Sequence, residues 1–310
     1  MQQRFSIVIP VYNRAPVLPR VLDSVAAQTW RPLHLILVDN ASTDASARVM
    51  REWAAAHACA DLEISLLTEY AHGAAAARNR GLREVRSSYM LFFDSDDALA
   101  PEAVSRYMAV FQSDSSVDIV CADCMYHPIG RLPRLVRARG GALLDTHIHH
   151  CLLRTQAYAV RTELLREAGG WNEQTRIWDD WELGVRLLLR NPTVRLEHFV
   201  AADIYESEES LTGRSYSEKA LYYETPIKAV EQAAQASDHP AARRVMALMC
   251  YRRMMLAALF AREGREDLAL PLRDEVLGNV SRRMGLLLRA AYIYIRCGGR
   301  GFDRILSLLL

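Results

Sequence analysis

The sequence predicts an α/β fold built on a mainly parallel, doubly wound sheet with flanking helices, followed by a helical C-terminal region. Three observations predict it. Between residues 5 and 97, short apolar runs alternate with stretches whose apolar residues recur at helical spacing. Several of those runs end directly on polar or acidic residues, as strands do where connecting loops gather. From Lys219 onward the pattern is helical throughout.

Phe5-Ser-Ile-Val-Ile-Pro-Val11 reads as a buried strand closed by turn chemistry, and Ala15 to Gln28 as the helix that follows. Leu33 to Val38 is a second strand ending at Asp39, and Ser42 to Ala56 a second helix. Leu62 to Leu67, Ala74 to Val85 and Tyr89 to Phe93 continue as strand, helix and strand, the last running into Asp94. After Pro101 a helix leads to a strand at Val117 to Cys121. Met125 to His150, rich in Arg, Gly and His, reads as a long loop, a length that is uncommon without a function. The apolar segment Leu152 to Val160 precedes a helix at Thr162 to Ala168, then Gly169-Gly170-Trp171, then a helix from about Asp180 to Arg190. The composition divides the chain into residues 1–215 and 216–310.

With 310 residues, 51% of them hydrophobic, the chain can bury one large core and a smaller appendage. The net charge of +1 excludes a generally basic nucleic-acid binder, so no nucleic acid is expected as a partner. That sum hides a split, since residues 1–210 carry 22 basic against 27 acidic side chains and residues 211–310 carry 16 against 10. Arginine supplies nearly all the positive charge, which suits bidentate phosphate recognition and equally reflects genomic base composition. The strand-like Phe5–Val11 follows Met1 with no basic-then-apolar leader, and the six cysteines are scattered, so a reducing, cytoplasmic setting is expected. No apolar stretch approaches the roughly 18 residues that spanning a bilayer requires.

The chemistry concentrates in two acidic clusters. Phe92-Phe93-Asp94-Ser95-Asp96-Asp97 packs three carboxylates at the end of an apolar strand. Charges so close raise one another's pKa unless a cation offsets them. Mn2+ or Mg2+ held by one or two carboxylates, with water and substrate phosphates completing its shell, is the simplest compensation. The alternative is a polar loop with capping aspartates. Ile177-Trp178-Asp179-Asp180-Trp181-Glu182 is the second cluster, in which tryptophans beside a carboxylate raise its basicity, as a general base requires. Its structural alternative is a capping box with Asp179 as cap and Glu182 three residues on.

Asp39, at a strand end, is placed to accept the imide N–H of uracil or thymine. Asp44 reads as ordinary first-turn acid. Arg78 and Asn79, on a small-residue helix, are candidates to reach donor phosphate or base, against a solvated or core-capping role. Cys121-x-x-Cys124 with His127 and His147-Ile-His149-His150-Cys151 offers zinc ligand types but no second C-x-x-C, and is set aside; the histidines are taken as acceptor-side loop residues. The tail from Leu277 interleaves Arg282, Arg283, Arg289, Arg296, Arg300 and Arg304 with apolar residues. Such a helix either lies on an anionic membrane surface or packs against the catalytic domain.

Taken in order, these segments resemble the family 2 glycosyltransferases, inverting enzymes of the GT-A fold, over residues 5 to about 210. Ile9-Pro10-Val11-Tyr12-Asn13 is similar to the family's opening donor-base motif, and Val38-Asp39-Asn-Ala-Ser-Thr-Asp44 to its nucleotide-contacting segment. Ala77-Arg78-Asn79-x-Gly81 and the DxD motif Asp94-Ser95-Asp96 follow in the family's order. Gly169-Gly170-Trp171-Asn172-Glu173 and Asp179-Asp180-Trp181-Glu182 resemble the acceptor-side loop and the base-bearing segment. The resemblance implies transfer of a sugar from a nucleotide-diphosphate donor, most simply UDP-linked, to a hydroxyl of a glycan or lipid-linked acceptor. It implies Pro10, Val11, Tyr12, Asn13, Asp39, Arg78, Asp94 and Ser95 at the donor, Asp96 and Asp94 at a metal, Asp180 as base, and Trp171, Asp179 and Trp181 on the acceptor side.

There are departures. Asp179 stands where the family usually has glutamate, and the family's Tyr-Arg-x-His is here Tyr205-Glu206-Ser207-Glu208, which makes Glu208 the candidate replacement ligand. The resemblance stops before 215, and residues 277–310 carry the expected contact with acceptor or with the inner face of an anionic membrane. Two rivals follow from the same residues: a sugar-nucleotide-binding scaffold that has lost activity, and a phosphatase of the haloacid-dehalogenase kind. The second wants a downstream lysine, and none occurs between Asp97 and Glu218.

Overall fold

A computed structural model describes residues 3–207 and 215–302. Nine strands form one sheet: β1 (Phe5–Val11), β2 (Leu33–Asp39), β3 (Leu62–Thr68), β4 (Tyr89–Phe92), β5 (Ala98–Leu99), β6 (Ile119–His127), β7 (Arg134–Val136), β8 (Tyr158–Arg161) and β9 (Val194–Tyr205). The helices among them are α1 (Leu18–Ala26), α2 (Ser46–His57), α3 (Ala74–Glu84), α4 (Ala103–Ser113), α5 (Leu143–His150), α6 (Thr162–Glu167) and α7 (Asp179–Leu188). The C-terminal region is α8 (Ala220–Gln235), α9 (Ala242–Arg262), α10 (Glu266–Gly278) and α11 (Arg282–Arg296).

The strand order is β3-β2-β1-β4-β8-β6-β9-β5, with β7 beside β6. Parallel pairing joins β3, β2, β1 and β4, and also β6 to β9, whereas β8, β5 and β7 run antiparallel to their neighbours. The sheet is therefore mixed and mostly parallel, as expected. Alternation along β1 splits the core, with Phe5, Ile7, Ile9 and Val11 facing α1, α2 and α4. Val8 faces the other side, where one apolar cluster runs through α3, α5 and α7 to Tyr223, Leu256 and Ile295 in the C-terminal helices. Pro10 is tolerated in this central strand because pairing with β4 ends at Val8, whose carbonyl accepts Phe93 N–H at 2.9 Å. The missing N–H of Pro10 points to that vacated side.

Several expectations need correction. Residues 125–150 are not one loop: β6 continues to His127, β7 pairs with it, and α5 ends the segment. β9 was not foreseen, and the segment 152–160 is strand only from Tyr158. The second helix starts at Ser46, not Ser42, because Ser42, Thr43 and Asp44 are spent on the neighbouring loop: Ser42 Oγ accepts Asn13 N–H at 3.1 Å and Asp44 Oδ2 accepts Ala15 N–H at 3.1 Å. Asp44 is structural, as read. Glu208 and the tail beyond Phe302, Arg304 included, lie outside the described residues. Among the described residues no helix is long and apolar enough to cross a membrane.

α3 lies flush on the sheet because it opens with Ala74–Ala77 and carries Gly81, where an added Cβ would meet Val8 Cγ1 at 2.3 Å and Val38 Cγ2 at 3.3 Å. Gly81→Ala is expected to cost about 1–3 kcal/mol by overpacking. A lowered midpoint in urea unfolding with an unchanged slope would register it.

Candidate functional site

The site is organised by Arg78, which α3 carries to a position only 6% exposed. Its Nη2 donates to Asp94 Oδ1 and its Nη1 to Asp179 Oδ2, both at 2.7 Å. Trp171 lies beneath, its ring centroid 4.3 Å from the guanidinium carbon. Burial opposes the charge, but Asp94 and Asp179 outweigh it and raise the pKa above the ordinary arginine value. One side chain thus joins the acidic end of β4 to the start of α7, two segments 85 positions apart in sequence if counted from Asp94 to Asp179.

The carboxylates beyond β4 have distinct surroundings. Gln156 Nε2 donates to Asp94 Oδ2 at 2.5 Å and to Asp97 Oδ2 at 2.9 Å. With Arg78 on its other oxygen, Asp94 is engaged at both. Asp97 is 2% exposed and takes Tyr205 N–H at 2.9 Å. Burial, then the charges of Asp94 and Asp96, push its pKa up to about 8. Asp96 is half-buried, with Arg14 Nε no nearer than 3.7 Å. Burial and then Asp94 raise its pKa as well. Ser95 is buried. Among the described residues no three His, Cys, Asp or Glu side chains converge as a metal cage. Of the DxD carboxylates, both expected as metal ligands, Asp94 already accepts hydrogen bonds at both oxygens, whereas Asp96 has the longer contact to Arg14.

At the far side of Arg78, Asp180 is held at both oxygens: Trp181 N–H donates to Oδ1 at 2.7 Å and the Cys151 thiol to Oδ2 at 3.3 Å. Burial, then the adjacent Asp179, push the Asp180 pKa up to about 6. The expected capping box does not form. Trp178 is the N-cap residue, in the left-handed region at φ 56°, and makes no side-chain cap bond. Glu182 is 1% exposed and pairs instead with Arg186 at 2.6 Å, whose Nη2 also holds Gly170 O at 2.8 Å.

Asn79 is not aimed at a donor. Its amide clamps the Gly170–Trp171 turn, donating to Trp171 O at 2.9 Å and accepting Trp171 N–H at 2.8 Å. Trp171 and Trp181, expected on the acceptor side, are each 2% exposed, so their rings pack inside the protein. Arg252 of α9 lies over both Trp178 and Trp181, at 4.6 and 4.7 Å. His147 is fully buried, with Leu153 N–H donating to its Nδ1 at 3.0 Å and its Nε2 against Trp181 O at 2.9 Å. Nδ1 therefore accepts and Nε2 carries the proton. Burial drops the pKa to about 4, and neither nitrogen is free for a metal.

At the end of β2, where the donor is expected, Asp39 is 9% exposed and its Oδ1 accepts Ser42 N–H at 3.2 Å. Among the described residues Oδ2 has no partner. Asn13, at φ 50°, spends its side chain on Thr43 and Asp44, accepting their N–H groups at 2.8 and 3.3 Å. Tyr12 is 50% exposed beside it, while Pro10 and Val11 are buried in β1. Sequence reasoning missed Gln156, Arg252 and Asn40, which bonds Glu69 O, Ala71 O and Gly73 N–H at 2.7–2.9 Å and shapes the loop leading into α3.

Two outcomes follow. Arg78→Ala would leave two carboxylates facing each other unpaired, and the loss of one partner of a buried pair costs about 3–5 kcal/mol; a fall in thermal midpoint measures it, and an unchanged midpoint contradicts it. Because the His147 pKa is lower folded than unfolded, the unfolded chain takes up its proton first as pH falls, so its contribution is full above about 6.5 and is lost between about 6.5 and 4. Unfolding midpoints of wild type and His147→Gln across that window should converge toward low pH.

The profile of Glycosyl transferase family 2 matches residues 6–158. A PGL/p-HBAD biosynthesis glycosyltransferase of Mycobacterium bovis is 31% identical over 205 residues, covering 65% of this chain and 77% of the relative. The fold is similar to S. aureus TarS in complex with UDP-GlcNAc, at TM-score 0.73 and 18% identity over 98% of this chain and 92% of that one. It is also similar to the mannosyltransferase PcManGT from Pyrobaculum calidifontis in complex with GDP-Man and Mn2+, at TM-score 0.62 and 18% identity over 95% and 81%. On its sequence, its GT-A sheet and its ordered acidic segments, the chain belongs to glycosyl transferase family 2.

Proposed function

We propose that the protein is an inverting glycosyltransferase that moves a sugar from a UDP-linked donor to a hydroxyl of a glycan or glycolipid acceptor. The observation that carries this reading is the double ion pair of Arg78, which sets the acidic end of β4 and the Asp179–Asp180 pair on two sides of one guanidinium. Asp39 takes the pyrimidine, beside Tyr12, Asn13, Pro10 and Val11, and the Asp94–Ser95 turn lies under the ribose and diphosphate. TarS bound to UDP-GlcNAc supports a nucleotide-sugar donor. Family membership leaves the phosphatase reading without support.

A divalent ion fits the carboxylate surroundings, because burial and then the neighbouring carboxylates raise the pKa of Asp96 and Asp97, and a cation would offset both. Asp96 would hold it, with Glu208 as a second contact, and Mn2+ or Mg2+ would supply charge neutralisation at the diphosphate. PcManGT with GDP-Man and Mn2+ supports this use. Arg78 adds fixed positive charge where the leaving group becomes negative, which is the kind of preorganised stabilisation that usually contributes most. Asp180, fixed by Trp181 N–H and Cys151, removes the proton of the attacking hydroxyl as the bond to the diphosphate breaks, in one in-line displacement. Asp179 holds Arg78, and Trp171 and Trp181 keep these groups in place from below. Residues 216–310 form the acceptor or membrane-surface region, a reading supported by the excess of arginine over acidic residues in the sequence 277–310.

Asp180→Asn should retain UDP binding by calorimetry while transfer falls about 10²–10⁴-fold; near-normal turnover removes the base assignment. Asp96→Ala should weaken metal and donor together. Since the base works deprotonated, kcat/KM should rise with pH through an acid limb near 6 belonging to the Asp179–Asp180 pair. A scaffold that has lost activity would release no UDP from a donor sugar in the presence of Mn2+, whereas a catalyst releases it slowly without acceptor.

A further inference from the structure

Beside the base, on the half of the molecule built after β6, lies a cavity of about 180 Å³. Arg137 and Arg139 follow β7, Thr146 and His150 come from α5, and Leu152 and Arg154 from the turn before β8; all six line it. No Asp or Glu lines the cavity. Two acids on the adjoining elements α5 and β6 are spent elsewhere: Asp145 pairs with Arg244, and Asp123 accepts Ala138 N–H at 2.8 Å. Among the described residues Arg137 and Arg139 have no carboxylate partner. Arg154 is half-buried and donates to His150 O at 2.5 Å, which anchors the guanidinium at the cavity wall.

Among the described residues, three guanidiniums line one hollow with no carboxylate beside them, and they repel one another, whereas most other arginines near the core are paired with acids. A ligand that brings negative charge removes that cost. Arginine's planar fork suits oxyanions, and three forks offer more donors than one carboxylate accepts, which favours a phosphate group with its several exposed oxygens. The location assigns the ligand to the acceptor rather than the donor. His150 and Leu152 flank Cys151, whose thiol donates to Asp180, whereas the proposed donor-side residues are Asp39 at the end of β2 and Asp94 and Asp96 in the turn after β4.

We infer that this cavity is an acceptor subsite for a phosphate group close to the hydroxyl that receives the sugar. The inference rests on the proposed glycosyl transfer, with Asp180 marking where that hydroxyl stands. The phosphate belongs either to a membrane lipid headgroup or to a phosphorylated soluble or polymeric acceptor, and the chemistry of recognition is the same.

Glycerol 3-phosphate is the probe, titrated by calorimetry at low salt into protein saturated with UDP, so that donor phosphate contacts are already filled. Saturable binding is expected, weakened about tenfold or more in the Arg137→Gln/Arg139→Gln double variant, with UDP affinity unchanged. Both side chains are exposed, so the variant keeps its fold, checked by its thermal midpoint. Binding equal in wild type and variant, no binding at all, or glucuronate binding as tightly as glycerol phosphate would each overturn the assignment. Vesicles of phosphatidylglycerol, compared with phosphatidylcholine, separate the sources. Cosedimentation lost in the variant identifies a lipid headgroup, and glycerol phosphate binding without cosedimentation identifies a soluble or polymeric acceptor. If UDP does not bind but the arginine-dependent phosphate binding persists, the donor reading falls and the subsite stands.

Discussion

A guanidinium buried between two carboxylates is the constraint on which the site depends. Removing Arg78 from water is costly, and the two 2.7 Å ion pairs, the charge of Asp180 and the Trp171 ring beneath offset that cost. The geometry in turn requires a helix that can lie close to the sheet, which is why α3 opens on four alanines and meets Val8 with a glycine. It also requires that the Gly169–Glu173 turn be fixed, a task shared by Asn79 and the Glu182–Arg186 pair. Small residues, a clamp and an internal salt bridge are thus all in the service of one charge.

The C-terminal helices are more than an appendage to this arrangement. Arg252 of α9 spans the two tryptophans that bracket Asp179 and Asp180, and Tyr223 of α8 packs on Trp178 with ring centroids 4.6 Å apart. Trp178 adopts a left-handed backbone, which costs energy for any residue other than glycine and persists only where packing over-determines it. The overlying arginine and the tilted tyrosine ring supply that packing, so the start of α7 is shaped by the C-terminal helices as well.

Much of this was legible in the sequence because the informative residues sit where local patterns are strongest. β1 and β2 are buried along their whole lengths, and continuous apolar runs advertise such strands. The acidic clusters stood out because they interrupt apolar context. β9 was hidden for the opposite reason: only Ala201 and Ala202 of its twelve residues are buried, and Arg195, Glu197, His198 and Asp203 break any alternation. β7 has three residues, too few to carry a period. Gln156 and Arg252 left no trace, since a lone amide in a turn and an arginine in a helix acquire meaning only from partners distant in the chain. Asn13 and Asn79 were seen, but their hydrogen bonds to loops brought alongside by the fold could not be.

The notch at Gly184 ties recognition to chemistry. An added Cβ there would lie 2.2 Å from His147 Cε1, so α5 and α7 interlock through a ring that is itself bonded at both nitrogens. α5 carries part of the arginine-lined hollow and α7 carries the carboxylate pair. On the proposed acceptor site, this fixed spacing between the two helices would be a built-in ruler from anchored anion to proton acceptor, sorting acceptors by the distance between their charge and their nucleophilic oxygen.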